Sequence, residues 1–156
     1  MQTAPGVSAL DGIRIRPATA ADTGRIVALD QAVTGLPKPD YWQDMVARCQ
    51  PPQDRRRFFL VAEDGDAIDG FIAGEIRSWE FGSPPVGWIF AVQVRPARRV
   101  RGLGTRLFEA VCDCFRDAGV HHVRTMVARD NTMIHAFFRS QGMTAGPFLE
   151  LEMRLD

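Results

Sequence analysis

Apolar positions along this chain switch between two spacings, and the switches mark out its elements. Ile13 and Ile15 alternate with Arg14 and Arg16, which predicts a short strand over residues 13–16, ended by Pro17. Thr19 and Asp22 then stand at capping-box spacing, with Asp in place of Glu. Ile26, Val27, Leu29 and Val33 follow as an apolar stripe that predicts a helix. Gly35, Pro37 and Pro39 break it, and a second short helix is expected over residues 41–49, before Pro51-Pro52. Two strand-like runs come next, 58–63 and 67–77, joined through Asp64-Gly65-Asp66, a turn signal that makes them a hairpin.

Residues 78–85 carry Trp79, Glu80, Phe81 and a Pro-Pro break, so they form a loop or a strand end. Residues 87–94 are apolar on both faces except for Gln93, as expected of a buried central strand. A helix over 102–118 sets Leu103, Leu107, Ala110, Val111, Cys114 and Ala118 along one side and Arg106, Glu109, Asp113 and Arg116 toward water, with Gly119 as its C-cap. The strand expected over 122–127 must run parallel to 87–94, because a helix crosses between them. A helical run up to Gln141 follows, and terminal strands are expected at 144–145 and 148–154. This order is that of an α/β protein with a mixed sheet built around one parallel βαβ unit.

Composition narrows the function classes. The 156 residues make one domain with room for a substantial core, and residues 1–10 read as a loose lead-in. Nineteen basic residues balance nineteen acidic ones, which argues against a dedicated nucleic-acid or membrane binder. Arg55-Arg56-Arg57 and the arginines of 95–101 lack the excess charge and the recognition motif that nucleic-acid binding would need. Cys49, Cys112 and Cys114 have neither metal-ligand nor redox spacing; they read as reduced thiols of a cytoplasmic protein. No leader pattern opens the chain, and no apolar run is long enough to span a bilayer.

The chemistry concentrates where the central strand runs into Arg95-Pro96-Ala97-Arg98-Arg99-Val100-Arg101-Gly102-Leu103-Gly104-Thr105. Glycines at a helix start let a ligand approach the backbone, and the unpaired N–H groups of the first turn favour an anion such as phosphate. A Walker loop would need Gly-x-x-x-x-Gly-Lys-Ser/Thr, which is absent, and a dinucleotide fingerprint would need glycine where Leu107 stands. What remains, Arg99-x-x-Gly102-x-Gly104 after Val94-x-Pro96, resembles the acetyl-coenzyme A pyrophosphate loop of the GNAT superfamily of N-acetyltransferases. Downstream, Asn131, Phe137, Gly142 and Met143 fall on the spacing of that family's Asn-x-x-Ala-x-x-Leu-Tyr-x-x-x-Gly-Phe pattern. Two motifs in the right order are far more specific than either alone, and the resemblance spans residues 11–156.

The resemblance implies a GNAT-like mixed, mostly antiparallel sheet with a central parallel βαβ unit and helices on both faces. It implies acetyl-coenzyme A as co-substrate, with no metal. The backbone of Val100, Arg101, Gly102, Leu103, Gly104 and Thr105 would hold the pyrophosphate, Arg99 adding charge and Thr105 a hydroxyl. Arg95, Arg98 and Arg101 read as solvated, with one able to reach the 3′-phosphate. Val92, Gln93 and Val94 would pair with the pantetheine arm, one N–H there polarising the thioester carbonyl. Asn131 would meet the pantetheine or acetyl end, or serve as a helix N-cap. Val100 stands where the family often has glycine, and Phe138 where many members have a tyrosine that protonates the leaving sulfur.

The implied reaction is direct attack of a neutral primary amine, of a small molecule or of a peptide or protein, on the thioester. Glu75 and Glu80 are the candidate bases, and Tyr41, Trp42, Trp79, Phe81 and Trp88, with Asp44, are candidates to line the acceptor groove. His121, His122 and His135 read as structural or surface residues. The alternatives left open are another acyl group, such as propionyl or succinyl, and a catalytically silent acyl-coenzyme A sensor. The sequence also leaves a homodimer open.

Overall fold

The computed structural model describes Leu10, residues 12–50 and residues 55–156; the remainder of the lead-in and the Pro51-Pro52 break lie outside them. The chain forms two compact units, Met1–Met126 and Val127–Asp156. Within the first, the elements run β1 (Arg14–Pro17), α1 (Thr23–Thr34), α2 (Pro39–Arg48), β2 (Arg57–Asp64), β3 (Ala67–Arg77), β4 (Val86–Val94), α3 (Leu103–Asp117) and β5 (Val123–Thr125). They build a sheet of order β1-β2-β3-β4-β5, antiparallel except for the parallel pair β4–β5, which is the expected mixed α/β topology.

Local chemistry accounts for the boundaries. The capping box forms as its spacing predicts, but it caps a 3-10 turn, Ala20–Asp22, that then feeds α1. Asp22 is fully buried, accepting from the Thr19 N–H at 2.8 Å, from Arg16 at 2.7 and 2.9 Å and from Arg25 at 2.6 Å. These donors, the Arg16 guanidinium first, hold its carboxyl well below the usual carboxylate range. Pro39 begins α2 as well as ending what precedes it, since the first helical position needs no N–H.

The two faces of the sheet bury different cores. On one, α1 and α2 close over Phe59, Val61, Phe71 and Ala73 with Ile26, Leu29, Trp42 and Val46. On the other, α3 buries Leu103, Leu107, Phe108, Val111, Cys112 and Phe115. That stripe is rotated from the expected one: Ala110 and Cys114 are only half-buried and Ala118 is exposed. The cause is Phe115, whose ring lies over Gly74 and Gly87, where a Cβ would come within 2.8 and 2.6 Å of it. Phe58 meets the same ring edge-on at 5.6 Å. Arg106, expected in water, instead donates to the carbonyls of Leu10 and Ile13.

In the second unit, α4 (Thr132–Ser140) starts at Asn131, whose Oδ1 accepts from the Ile134 N–H at 3.1 Å. Residues 144–156 form no strand, so the terminal strands expected at 144–145 and 148–154 are absent. Alternation is there, but a strand also needs a neighbouring ladder, and alternation does not encode one. Among the described residues, no helix is long and apolar enough to cross a membrane.

Candidate functional site

The site is built on the second half of β4, where that strand loses a neighbour. β5 pairs with Gly87–Ile89, so from Phe90 onward β4 has a ladder partner, among the described residues, on its β3 side alone. Phe90 itself is a bulge, since Ala73 opposes Ala91 while the next residue, Gly74, opposes Ile89. The last bond from β4 to β5 is the Thr125 hydroxyl donating to the Ile89 carbonyl at 2.8 Å.

Hydrogen-bond alternation then fixes which groups face the opening. Arg95 donates its N–H to Asp69 at 2.7 Å, so Arg95, Gln93 and Ala91 face β3. Val92 and Val94 between them turn their N–H and C=O groups the other way. Arg99 Nε donates to the Val94 carbonyl at 3.2 Å, in keeping with that direction. Among the described residues, the Val92 and Val94 N–H groups and the Val92 carbonyl thus form an unpaired strand edge, the pattern an extended amide chain would complete.

The arginine-rich segment follows as a 3-10 turn, Pro96–Arg101, which contains Arg99 and the backbone of Val100 and Arg101. Gly102 stands at φ 81°, a left-handed conformation that favours glycine, and accepts the first bond of α3, from Arg106 at 3.1 Å. The amides of Leu103 and Gly104 precede that bond and have no intrahelical partner. The Leu103 side chain is fully buried, so only its backbone is offered, and Thr105 is half-buried one residue on. Arg95 and Arg98 depart from the solvated reading: Arg95 pairs with Asp69 at 2.9 Å, and Arg98 with Asp64 at 2.7 Å and Asp69 at 3.0 Å. They fasten the turn to the β2–β3 hairpin, because buried Asp69 requires cationic partners.

On the α1 and α2 face, the structure adds a residue that the sequence reading missed. Asp30 is 1% exposed; its carboxylate accepts from Trp42 Nε1 at 2.9 Å and pairs with Lys38 Nζ at 2.9 Å, with Gln93 Nε2 at 3.4 Å. The available signal was an acid four residues after Ile26, on the buried stripe of α1. Trp42 is therefore core and does not line a groove, whereas Tyr41 is exposed. Trp88 is half-buried beneath the Arg77 guanidinium, 5.0 Å from its ring centre.

Of the two candidate bases, Glu75 lies in β3 opposite Trp88, beside the bulge, with Arg57 at 3.4 Å and Arg77 at 4.0 Å. Glu80 pairs with Arg77 at 2.8 Å. Trp79 and Phe81 flank it in left-handed conformations, φ 62° and 53°, and are 72% and 75% exposed. Backbone strain of this kind costs on the order of 1–3 kcal/mol per residue, and here it projects aromatic rings into solvent. Asp44 pairs with Arg48. Asn131 caps α4, and Phe138, within that helix, is buried and meets Phe137 edge-on at 5.1 Å. The three cysteines are free thiols, and burial pushes Cys49 up to about 11 and raises Cys112 and Cys114, so none is a ready nucleophile at neutral pH.

The chain is similar to known proteins in sequence and in fold. The chain is 30% identical over 103 residues to the mycothiol acetyltransferase of Arthrobacter sp. (strain FB24), a match covering 65% of this chain and 32% of that protein. To the L-2,4-diaminobutyric acid acetyltransferase of Nocardia farcinica (strain IFM 10152) it is 33% identical over 98 residues, covering 62% of this chain and 49% of the relative. These matches thus span about a third to a half of the relatives' length. The structure of aminoglycoside N-acetyltransferase AAC(6')-Iy in complex with CoA shares the fold, with a TM-score of 0.79 at 18% identity over 91% of this chain and 94% of that one. Residues 25–143, from α1 through the Gly102-Leu103-Gly104 helix start to Met143, match the acetyltransferase (GNAT) family, and the chain belongs to that family.

Proposed function

We propose that this chain moves an acetyl group from acetyl-coenzyme A directly onto a primary amine of a small molecule. The observation that carries the reading is the unpaired edge of β4 at Val92 and Val94, which leads through one short turn to the open amides at the start of α3. An edge of alternating donors and acceptors suits the two amides of a pantetheine arm, and a glycine-opened helix start suits a pyrophosphate. Mycothiol, diaminobutyric acid and aminoglycoside acetyltransferases among its relatives and structural neighbours support a small amine as acceptor.

The chemistry asked of the protein is modest. An alkylammonium has a pKa of about 10.4, so the amine must lose a proton before its nitrogen attacks the thioester carbon. Glu75, beside the bulge, takes that proton through water, and Glu80 is the second candidate. The carbonyl oxygen gains charge as the C–N bond forms, and an outward N–H of β4 stabilises it. Collapse expels the thiolate. Phe138 has no proton to give it, but a thiol pKa of about 8.5 lets the thiolate leave near neutral pH, with water protonating it afterwards. Asp30 holds Gln93 and Trp42 in place behind this edge.

The test is release of free coenzyme A across a panel of small amines, peptides and protein N-termini, with mass spectrometry of the product. Acetylated small amine is the expected result. Tight binding of acetyl-coenzyme A without release above background hydrolysis would make the protein a sensor, a reading that Phe138 and the ion-paired Glu75 and Glu80 favour. Faster turnover with propionyl- or succinyl-coenzyme A would change the donor.

A further inference from the structure

The sheet face on which α1 and α2 bury Phe59, Val61, Phe71 and Ala73 continues beyond that core. Strand alternation carries it on to Arg57 in β2 and to Glu75 and Arg77 in β3, whose side chains are each about a third exposed. Trp88, opposite Glu75 in β4, shares the face. Two guanidiniums bracket one carboxylate here. Arg57, in register with Glu75, donates from Nε to its Oε2 at 3.4 Å. Arg77 approaches Oε1 at 4.0 Å and pairs with Glu80 through Nε at 2.8 Å.

Both arginines make their closest ion pairs through Nε. Among the described residues, no hydrogen bond uses the Nη groups of either, so each keeps the end-on N–H fork that fits a carboxylate. The Trp88 ring, 5.0 Å from Arg77 Cζ, fixes the plane of one fork. Charge then limits what this face accepts. An acceptor that brings only an ammonium competes with Arg57 and Arg77 for Glu75 and is repelled by both. One that also carries a carboxylate gives the guanidiniums a partner in exchange, its ammonium meeting Glu75 and its carboxylate the fork. Glu75 and Arg77 stand two residues apart on one strand, roughly 7 Å at about 3.3 Å per residue, a separation that suits a small molecule.

We infer that the acceptor is a small amino acid, its amine presented at Glu75 and its carboxylate held on the Arg77 fork, with Arg57 alongside. The inference rests on acetyl transfer with Glu75 as the base, and it adds the anionic group that the acceptor must carry. Arg77 and Arg57 are specificity-determining residues: they select the acceptor by its carboxylate and take no part in the proton transfer. A polyamine is a poor acceptor, because its further ammonium groups meet guanidiniums where an amino acid places its carboxylate.

The test measures coenzyme A release from matched sets of an amino acid, its amide and its decarboxylated amine: alanine, alaninamide and ethylamine; γ-aminobutyrate, γ-aminobutyramide and propylamine; lysine, lysinamide and cadaverine. The amide keeps the shape of the acid and removes its charge. In at least one set the acid has a kcat/KM at least about tenfold above its amide and its amine, the effect of one charge-assisted pair, and the difference lies in KM. Arg57→Gln with Arg77→Gln brings the acid-to-amide ratio close to one, whereas Arg77→Lys, which keeps the charge and loses the fork, retains part of it. A merely structural role would scale acid and amide together. Equal kcat/KM for acid and amide in every set overturns the inference and leaves acetyl transfer to a small amine standing. So does a preference that survives the double substitution, or turnover confined to amines outside these sets. No release with any amine, from a chain that binds acetyl-coenzyme A, overturns the inference together with the reading it rests on.

Discussion

Proline at position 92 isolates one backbone hydrogen from everything else the strand does. The Val92 N–H faces the opening beside β4, whereas the ladder to β3 runs through Ala91, Gln93 and Arg95. Val92→Pro therefore removes no sheet hydrogen bond, and Ala91 before it is already extended, as a residue preceding proline prefers. Proline is tolerated at strand edges for this reason, and β4 beyond Ile89 is an edge on that side. The fold should survive with a small loss in melting temperature. If the N–H only binds pantetheine, its loss is worth about 0.5–1.5 kcal/mol, at most roughly a tenfold weaker Kd for coenzyme A. If it also stabilises the oxyanion, kcat falls by about 10²- to 10³-fold, or roughly 2.7–4 kcal/mol.

Calorimetric titration with coenzyme A and a coenzyme A release assay separate the two contributions. Gln93→Pro is the control: its N–H faces Phe71 within the β3 ladder, so that variant loses the fold together with the activity. A folded Val92→Pro protein whose Kd and kcat both stay within about twofold of wild type would refute the assignment of this edge, since the smallest of the expected effects exceeds that.

Gly104→Glu puts bulk and negative charge at the start of α3; acetyl-coenzyme A should then give no thermal shift while circular dichroism is unchanged, and retained affinity would mean the phosphates bind elsewhere. Gly87→Ala drives a Cβ to 2.6 Å from the Phe115 ring, an overpacking that should cost about 1–3 kcal/mol in urea unfolding. Asp22 is held ionised below its ordinary value of 3.8, so its stabilisation is full above that pH and is lost as pH falls toward the lower folded value. Asp22→Asn, which leaves Arg16 and Arg25 without their buried partner, should cost about 3–5 kcal/mol at pH 7 and flatten the acid side of the stability profile below pH 4, as followed by chemical denaturation.

What the sequence revealed and what it hid divide along a physical line. Features that depend on consecutive residues were legible: the hairpin at Asp64-Gly65-Asp66, the capping box at Thr19 and Asp22, the strand 86–94 to within a residue, and the glycines at the start of α3. Features that depend on partners distant in sequence were not. The bulge at Phe90 is set by register against β3, and nothing in Ile89-Phe90-Ala91 announces it. Arg95 and Arg98 look like a solvated basic run until Asp64 and Asp69 arrive from the neighbouring hairpin. Asp30 and Trp42, far apart in function by type, meet because α1 and α2 pack on one face. The α3 stripe was rotated by the shape of a single notch, formed where Gly74 and Gly87 leave room for Phe115. At residues 148–154 the expected strand is absent, because a strand depends on a neighbouring ladder as well as on its own residues.

A crystal structure of the chain with coenzyme A tests the central claim most directly. The account predicts the pantetheine arm alongside β4 beyond Ile89, its amides bonded to the N–H groups of Val92 and Val94 and to the Val92 carbonyl, and the pyrophosphate against the amides of Leu103 and Gly104. Coenzyme A bound elsewhere, with the Val92 and Val94 amides left to water and the start of α3 empty, would contradict it.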